Sequence, residues 1–408
     1  MTRVIGRRPA TFLAIFLPLF FIYALTASWS LPYHKDAVTN AITGWYLAEE
    51  GTVITRHHDH LTELGRRNRP WLVQSPVGPV SQYPPGTGLW TGLFYLLSSE
   101  PLKAISEQIP DDPGAGAVSV PVPIPPLWPA TLSAVVATSA AAAILGLVFA
   151  DMGYGRRSAV AGGLVFGLAT TAWTVASAMS WTHGPAMLAI ALGLWASSRA
   201  RWPLAGGALG FGILIRPHIA LIAALIGAGV TLRRRQFRPL LGVAVTSVLG
   251  LLALLLYNLS IWKTLTLSGG YRGMLGNAIE DSDAGTFVSS LVFALFDFER
   301  GLLVWAPFVA ILAVGAFRAR ALIPDWAAWS ALGGIAYLLV QLAVNRFSGG
   351  DGFFGYRYPL EMLTAAAPAL FVGFTASIRA SAWQMRLLVA GISVGVFGQA
   401  GYLLARLA

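Results

Sequence analysis

The chain has 408 residues, of which 56% are hydrophobic and 11% charged, with a mean hydropathy of +0.65; this composition excludes a water-soluble globule. The formal net charge of +10 comes from arginines clustered in short segments between apolar runs, which is the signature of membrane topology and not of a nucleic-acid-binding face. The absence of cysteine excludes disulfides, thiolate catalysis and zinc-thiolate sites.

Arg3, Arg7 and Arg8 precede an apolar run from Ala10 to Leu31. The run is too long for a signal peptide and lacks a small-residue cleavage site, so it is expected to remain as a first span. Further runs at 128–150, 158–179, 181–198, 240–258, 301–317, 326–345, 359–378 and 386–405 approach the ~20 residues that a crossing helix needs. The clusters Arg156/Arg157, Arg199/Arg201, Arg233/Arg234/Arg235/Arg238, Arg318/Arg320 and Arg379/Arg386 are placed on the cytoplasmic side by the positive-inside rule. The stretch 32–127 then forms one long external loop. Within it, Gly86–Leu97 is too short to cross and is expected to lie along the interface. Pro110–Pro129, rich in Pro and Gly, is expected to run as an extended connector.

Pro203–Val230 has arginines at both ends, so a single crossing would put one cluster on the wrong side. It reads instead as two short helices meeting at Arg216-Pro217, where the proline breaks the helix. The expected fold is therefore an all-α polytopic membrane protein, one domain over 1–408. It has about eleven membrane helices counting the hairpin as two, an internal N-terminus, and external segments at 32–127, 259–300 and 346–358.

Asp36, in Pro32-Tyr33-His34-Lys35-Asp36, is the first candidate for chemistry, because an acid where a helix leaves a bilayer marks a functional site unless it is merely structural. It opens a segment, Ala37–Glu50, that reads as an amphipathic helix ended by Gly51. Plain N-capping by Asp36 is the alternative role. His34 and Lys35 beside it can meet a phosphate or snorkel to headgroups. Tyr83-Pro84-Pro85-Gly86 is a rigid turn, and Asp297-Phe298-Glu299-Arg300 places charges at a span entry. Ser348 to Pro359 combines glycines with Asp351, Tyr356 and Arg357; it can approach a ligand closely, stack on a sugar and fork onto phosphate, or form a simple re-entrant turn. In Arg56-His57-His58-Asp59-His60 a divalent cation is an alternative, but an acceptor or headgroup contact is the preferred reading.

In order along the chain, the Asp36 position, Tyr83-Pro84-Pro85-Gly86, Arg216-Pro217, Arg300-Gly301-Leu302-Leu303, and Gly349-Gly350 through Gly355-Tyr356-Arg357 resemble the GT-C superfamily. These are integral membrane glycosyltransferases that use polyprenyl-phosphate sugars, and the nearest groups are protein mannosyltransferases and aminoarabinose transferases. The resemblance implies an inverting transfer to an acceptor hydroxyl, with Asp36 as the base. It also implies cations for the donor phosphate: Arg216, Arg357, Arg300, Arg272 and Lys35, in that order. His34, His57, His58, Tyr83, His183, Asp351 and Tyr356 are the candidates for acceptor or sugar contacts. Many relatives carry a second acid in the next external loop, whereas Met179-Ser180-Trp181-Thr182-His183-Gly184 offers only His183. No cofactor is required. The expected partners are the lipid-linked donor, a glycan, glycolipid or protein acceptor, and membrane lipids, with the site on the outer face of a plasma (inner) membrane, toward the periplasm or cell exterior. The alternative function is a lipid-linked-sugar flippase or secondary transporter, although paired broken helices are not visible.

Overall fold

The computed structural model describes residues 7–31, 33–59, 72–110, 117–271, 283–345, 347 and 354–407. It is predominantly helical. Among the described residues six helical segments are long and apolar enough to cross a membrane: Arg8–Thr26, Trp128–Asp151, Arg238–Trp262, Asp325–Val344, Pro359–Ile378 and Ala382–Ala405. The elements, in chain order, are α1 (Arg7–Thr26), α2 (Lys35–Glu49), α3 (Gly86–Tyr95), α4 (Trp128–Asp151), α5 (Arg156–Leu168), α6 (His183–Ser198), α7 (Trp202–Ile215) and α8 (Ile219–Arg234). They continue with α9 (Arg238–Trp262), α10 (Ala284–Phe296), α11 (Leu302–Trp305), α12 (Phe308–Arg318), α13 (Asp325–Val344), α14 (Pro359–Gly373) and α15 (Ala382–Leu407).

Several expectations are corrected. The first span ends at Thr26, not Leu31. The run 158–179 is helical only to Leu168, then makes one wide π turn at Ala172–Ala176 before an irregular stretch. The run 301–317 is split by Ala306-Pro307 into α11 and α12, as expected where a proline removes a backbone donor. The segment 259–300 contains an apolar helix, α10, whose Asp283 cap accepts from the Thr286 N–H at 2.7 Å. The fold is also not purely helical. Strands β1 (Val73–Ser75) and β2 (Gly78–Val80) pair antiparallel, as do β3 (Lys103–Pro110) and β4 (Ala117–Ile124), in the register Lys103↔Ile124 to Pro110↔Ala117. Within the expected connector Pro110–Pro129, Ala117–Ile124 is therefore the return strand of a hairpin and Trp128 opens α4, while 111–116 lie outside the described residues.

Helix surfaces explain the class. On α1, Ile15, Leu19 and Tyr23 are fully buried at i, i+4 and i+8, while Leu13, Leu17, Phe21 and Leu25 are exposed. On α9, Leu241, Val245, Leu249, Leu252 and Leu256 are likewise exposed. Apolar faces of this extent are stable against lipid and not against water.

The bundle has two distinct ends. At one end Asp151 receives Arg8 at 3.1 Å and Arg199 at 2.7 Å, Arg156 donates to the Ala10 carbonyl at 3.1 Å, and Asp325 meets Arg233 and Arg234 at 3.6 and 3.4 Å. These contacts gather arginine clusters that the sequence placed on one side. Packing of Gly206 on Val243 and of Gly210 on Gly250 shows that α7 and α9 run parallel, whereas Gly229 on Trp329 and Gly333 on Ile222 make α8 and α13 antiparallel. Helix α7 therefore starts at the basic end and α8 returns to it, the two turning at Arg216-Pro217, the hairpin expected from charge. Their 14 and 16 residues give lengths of roughly 21 and 24 Å, short of a ~30 Å hydrocarbon layer. Their turn therefore lies inside the bundle and not at its edge.

Parallel approach of α7 and α9 depends on small residues, as is common between membrane helices. A Cβ on Gly250 would lie 2.2 Å from the Gly210 carbonyl oxygen, whereas one on Gly207 would meet nothing. We expect Gly250→Val to lower the thermal unfolding midpoint of the detergent-solubilised protein by several degrees, while Gly207→Ala leaves it unchanged or slightly raised. Equal midpoints for Gly250→Val and the parent would refute this packing.

Candidate active site

The site is assembled at the end opposite the arginine clusters. Helix α2 begins there because His34 is extended (φ −66°, ψ 140°) and its Nδ1 accepts the Asp36 N–H at 3.2 Å. The cap is thus His34 and not Asp36, which lies in the first turn, where a carboxylate is favoured by the helix dipole. The expected amphipathic character of 37–50 is also corrected, since Ala37 through Tyr46 are all buried. The helix stops where Gly51 takes a left-handed conformation at φ +64°. Its first turns are held by the 179–182 segment. Ser180 Oγ donates to the Ala37 carbonyl at 2.7 Å, Asn40 Nδ2 donates to the Ser180 carbonyl at 2.8 Å, and the Tyr33 hydroxyl accepts the Ser180 N–H at 2.8 Å.

Asp36 is paired with Arg357, whose Nη2 lies 3.3 Å from Oδ2. The Arg357 guanidinium is centred 4.2 Å from the Trp181 ring and 5.3 Å from the Tyr358 ring, and Trp181 in turn packs on the His34 ring at 4.5 Å. The backbone leading to Arg357 is fixed by the Tyr356 N–H donating to the Arg300 carbonyl at 2.8 Å. Tyr83 hydrogen-bonds to Asp36. Its hydroxyl is pushed well above its usual pKa, first by burial and then by Tyr271 and Asp36, so it stays protonated and donates to the carboxylate. The Tyr83-Pro84-Pro85-Gly86 turn is anchored on the α7–α8 hairpin: a Cβ at Gly86 would lie 2.6 Å from Ile215, the residue before Arg216. Only glycine permits that approach.

Deeper in the bundle, Arg216 ends α7 in an extended conformation, as the residue before a proline prefers. Its Nε is 3.1 Å from Glu361 Oε1 and 3.1 Å from Thr182 Oγ1. Nη1 donates to the Tyr337 hydroxyl at 3.1 Å and to Gln341 at 3.3 Å, and Nη2 donates to Thr182 at 2.9 Å. Arg216 Nη2 also lies 3.2 Å from His183 Nε2, and His183 Nδ1 lies 2.9 Å from Glu361 Oε1. A guanidinium can only donate, so His183 Nε2 must accept. The imidazole is then neutral with its proton on Nδ1, which donates to Glu361. The Tyr358 ring connects the two layers: the Arg216 guanidinium is 5.7 Å from its centre and Arg357 is 5.3 Å away.

Six of the sequence candidates therefore meet: Asp36, His34, Arg357, Tyr83, Arg216 and His183. The others take different places. Lys35 is exposed. Arg300 contributes its carbonyl. Tyr356 is buried against Phe347 and Tyr358, with ring centres 4.8 and 5.3 Å apart. Ten residues of helix separate Asp36 from Tyr46, about 15 Å, and His57 and His58 belong to the far end, while His60 lies outside the described residues. His58 is fully buried, its ring nitrogens 3.3 Å from the Tyr46 hydroxyl and 2.6 Å from the Pro123 carbonyl, so the expected acceptor contact is replaced by a fold-holding one. His57 is exposed and 3.5 Å from Glu50, likewise away from Asp36. Arg272 and Asp351 lie outside the described residues. Among the described residues no group of three or more metal-ligating side chains converges. Sequence reasoning missed Glu361, although the signal used for Asp36, an acid within an apolar run, was present there too. It also missed Trp181, Tyr337 and Gln341, which only the packing identifies.

The chain matches no family model, no curated protein and no solved structure.

Arg216 and Glu361 are almost fully withdrawn from solvent, with side chains 14% and 0% exposed. Removing one partner strands the other. We expect Glu361→Ala to cost about 3–5 kcal/mol of stability and the double replacement Glu361→Leu with Arg216→Met to cost clearly less. Chemical or thermal denaturation in detergent measures both, and a double variant as unstable as the single one would refute the pairing.

Proposed function

We propose that this protein is an inverting glycosyltransferase that moves a sugar from a polyprenyl-phosphate donor to an acceptor hydroxyl. The reading rests above all on the Asp36–Arg357 pair at the mouth of an apolar bundle, where a lipid-linked anion and a water-soluble acceptor can meet. In this reading Asp36 takes the acceptor proton as the oxygen attacks the anomeric carbon. Tyr83 fixes the orientation of the carboxylate. The electron pair of the breaking bond stays on the donor phosphate, and Arg357 offers it a planar, bidentate donor. Arg216 ranks first among the phosphate ligands on sequence, but its N–H groups are committed to Thr182, His183, Tyr337, Gln341 and Glu361. It serves this reading better as a fixed positive charge beneath the site. The resemblance of the motifs to the GT-C superfamily points the same way, as does the packing of α2 and α3 over the hairpin tip. By charge asymmetry the site end faces outward from a plasma (inner) membrane, with about eleven membrane helices.

Labelled sugar transfer in proteoliposomes with defined polyprenyl-phosphate donors tests the activity directly. Because His34 and not Asp36 caps α2, we expect Asp36→Asn to fold normally and to lose about 10²- to 10⁴-fold in transfer rate. Near-normal turnover by that variant would remove Asp36 from the mechanism. Orientation is tested separately in this thiol-free chain by single cysteines: positions 56 and 112 should react with an impermeant reagent from outside, and positions 157 and 234 only from the cytoplasm. Labelling of position 112 only from the cytoplasm would reverse the assignment.

A further inference from the structure

The following inference rests on the reading above and concerns the class of acceptor. Asp36 is met by Arg357 at 3.3 Å, by His34 at 3.8 Å and by Tyr83. Tyr83 also faces a second element, the loop that follows α9. Its ring meets Tyr271 edge to face at 5.7 Å, and the two segments are so close that a Cβ on Gly270 would lie 2.6 Å from Gln82 Cα. Tyr271 is itself near the site. Its hydroxyl is pushed above its usual pKa, first by burial and then by the Asp36 carboxylate, so it stays protonated.

A recess opens at this junction, with Tyr83 as the wall it shares with Asp36. Gln82, Asn258, Trp262, Ser268 and Gly269 line it too, and none of the described residues in its wall carries a charge. Its empty space, counted out to the mouth, is about 190 Å³, smaller than the ~300 Å³ at which pockets for drug-sized ligands begin. Asn258 is held in place, since its Nδ2 donates to the Thr266 carbonyl at 2.6 Å. Gly269, at φ +49°, keeps the floor low: a Cβ there would lie 2.9 Å from Asn258 Oδ1 and 3.2 Å from Trp262 Nε1. A hydrogen-bond acceptor and a donor therefore face the same gap.

This lining has a chemical preference. Amides and a hydroxyl exchange hydrogen bonds with sugar hydroxyls, and aromatic rings offer large apolar faces against which the C–H groups of a sugar can pack. An anionic group would call for a cation, and an extended peptide for a longer groove with pockets for alternate side chains. We propose that the recess receives the hydroxyl-bearing edge of the acceptor, and that the acceptor is a neutral sugar whose attacking hydroxyl reaches past Tyr83 to Asp36.

The test uses purified full-length protein in detergent and saturation-transfer NMR, which reads weak binding. Methyl α-mannoside, methyl β-galactoside and methyl α-arabinofuranoside are the neutral probes, with a serine-containing peptide and a sugar phosphate as comparisons and a short-chain polyprenyl phosphate as the donor-side probe. At least one neutral glycoside should bind, and Asp36→Asn should leave it bound. Trp262→Leu and Gly269→Ala should each weaken that glycoside about three- to tenfold, the scale of one ring contact or one hydrogen bond, without changing binding of the polyprenyl phosphate. Ser268→Ala removes only a hydroxyl and should act in the same direction at an unchanged unfolding midpoint, so the outcome does not depend on a variant that fails to fold. Equal glycoside binding by the parent and the folded recess variants would overturn the subsite. So would binding of the peptide or the sugar phosphate, or of no acceptor probe at all, by a parent that binds polyprenyl phosphate but no neutral glycoside; the glycosyltransferase reading would then stand. A folded parent that binds none of the probes, polyprenyl phosphate included, would overturn that reading and the subsite with it.

Discussion

Charge carried into an apolar bundle must be matched locally, and the arrangement of this protein follows from that constraint. A carboxylate or guanidinium transferred from water into a medium of low polarity loses several kcal/mol of solvation, and neutralisation by a hydrogen-bonded partner is the remedy. Glu361 and Arg216 meet this requirement in the interior, with His183, Thr182, Tyr337 and Gln341 supplying the remaining polar contacts. At the basic end, Asp151, whose side chain is 8% exposed, divides itself between Arg8 and Arg199. Asp36 and Arg357 form a third pair, whose carboxylate is more open than those of Glu361 and Asp151. The Asp36 side chain is 29% exposed, against 0% for Glu361.

This gradient from a closed pair to an open one organises the site. The closed pair joins the tip of the α7–α8 hairpin to the first turn of α14, and so fixes where a broken helix ends inside the bundle. Upon that floor rest Tyr358, then Arg357 and Asp36, with α2 and α3 above. The Gly86 contact with Ile215 makes the first loop sit directly on the hairpin tip. In the proposed reading, a lipid-linked substrate approaching from the apolar side and a soluble acceptor approaching from the loop side meet at the open pair. The buried layer beneath it, in which Arg216 is hydrogen-bonded through each of its nitrogens, holds a fixed charge of the kind on which electrostatic preorganisation depends.

Much of this was legible in the sequence because charge is scarce in it. With so few ionisable groups, each one within or beside an apolar run is informative, and Asp36, Arg216 and Arg357 were found in that way. The hairpin at Pro217 was legible too, since two basic clusters flanking one short run leave no other topology. What was hidden has physical reasons. Glu361 sits just inside a long span and looked like its edge. The exchange of capping roles between His34 and Asp36 depends on one backbone angle. The burial of α2 on all sides, the β3–β4 hairpin and the His58 contact with Pro123 come from tertiary packing that overrides local pattern. Trp181 gave no signal, because an aromatic beside a span most often marks the lipid boundary.

The most direct measurement is a structure of the protein in a lipid nanodisc with an inert polyprenyl-phosphonate sugar analogue bound. The account predicts the phosphonate within hydrogen-bonding distance of Arg357, the anomeric carbon facing Asp36, and the Glu361–Arg216 pair unchanged beneath them. A phosphonate bound to Arg216 with that pair broken, or seated at the basic end near Asp151 and Asp325, would contradict it.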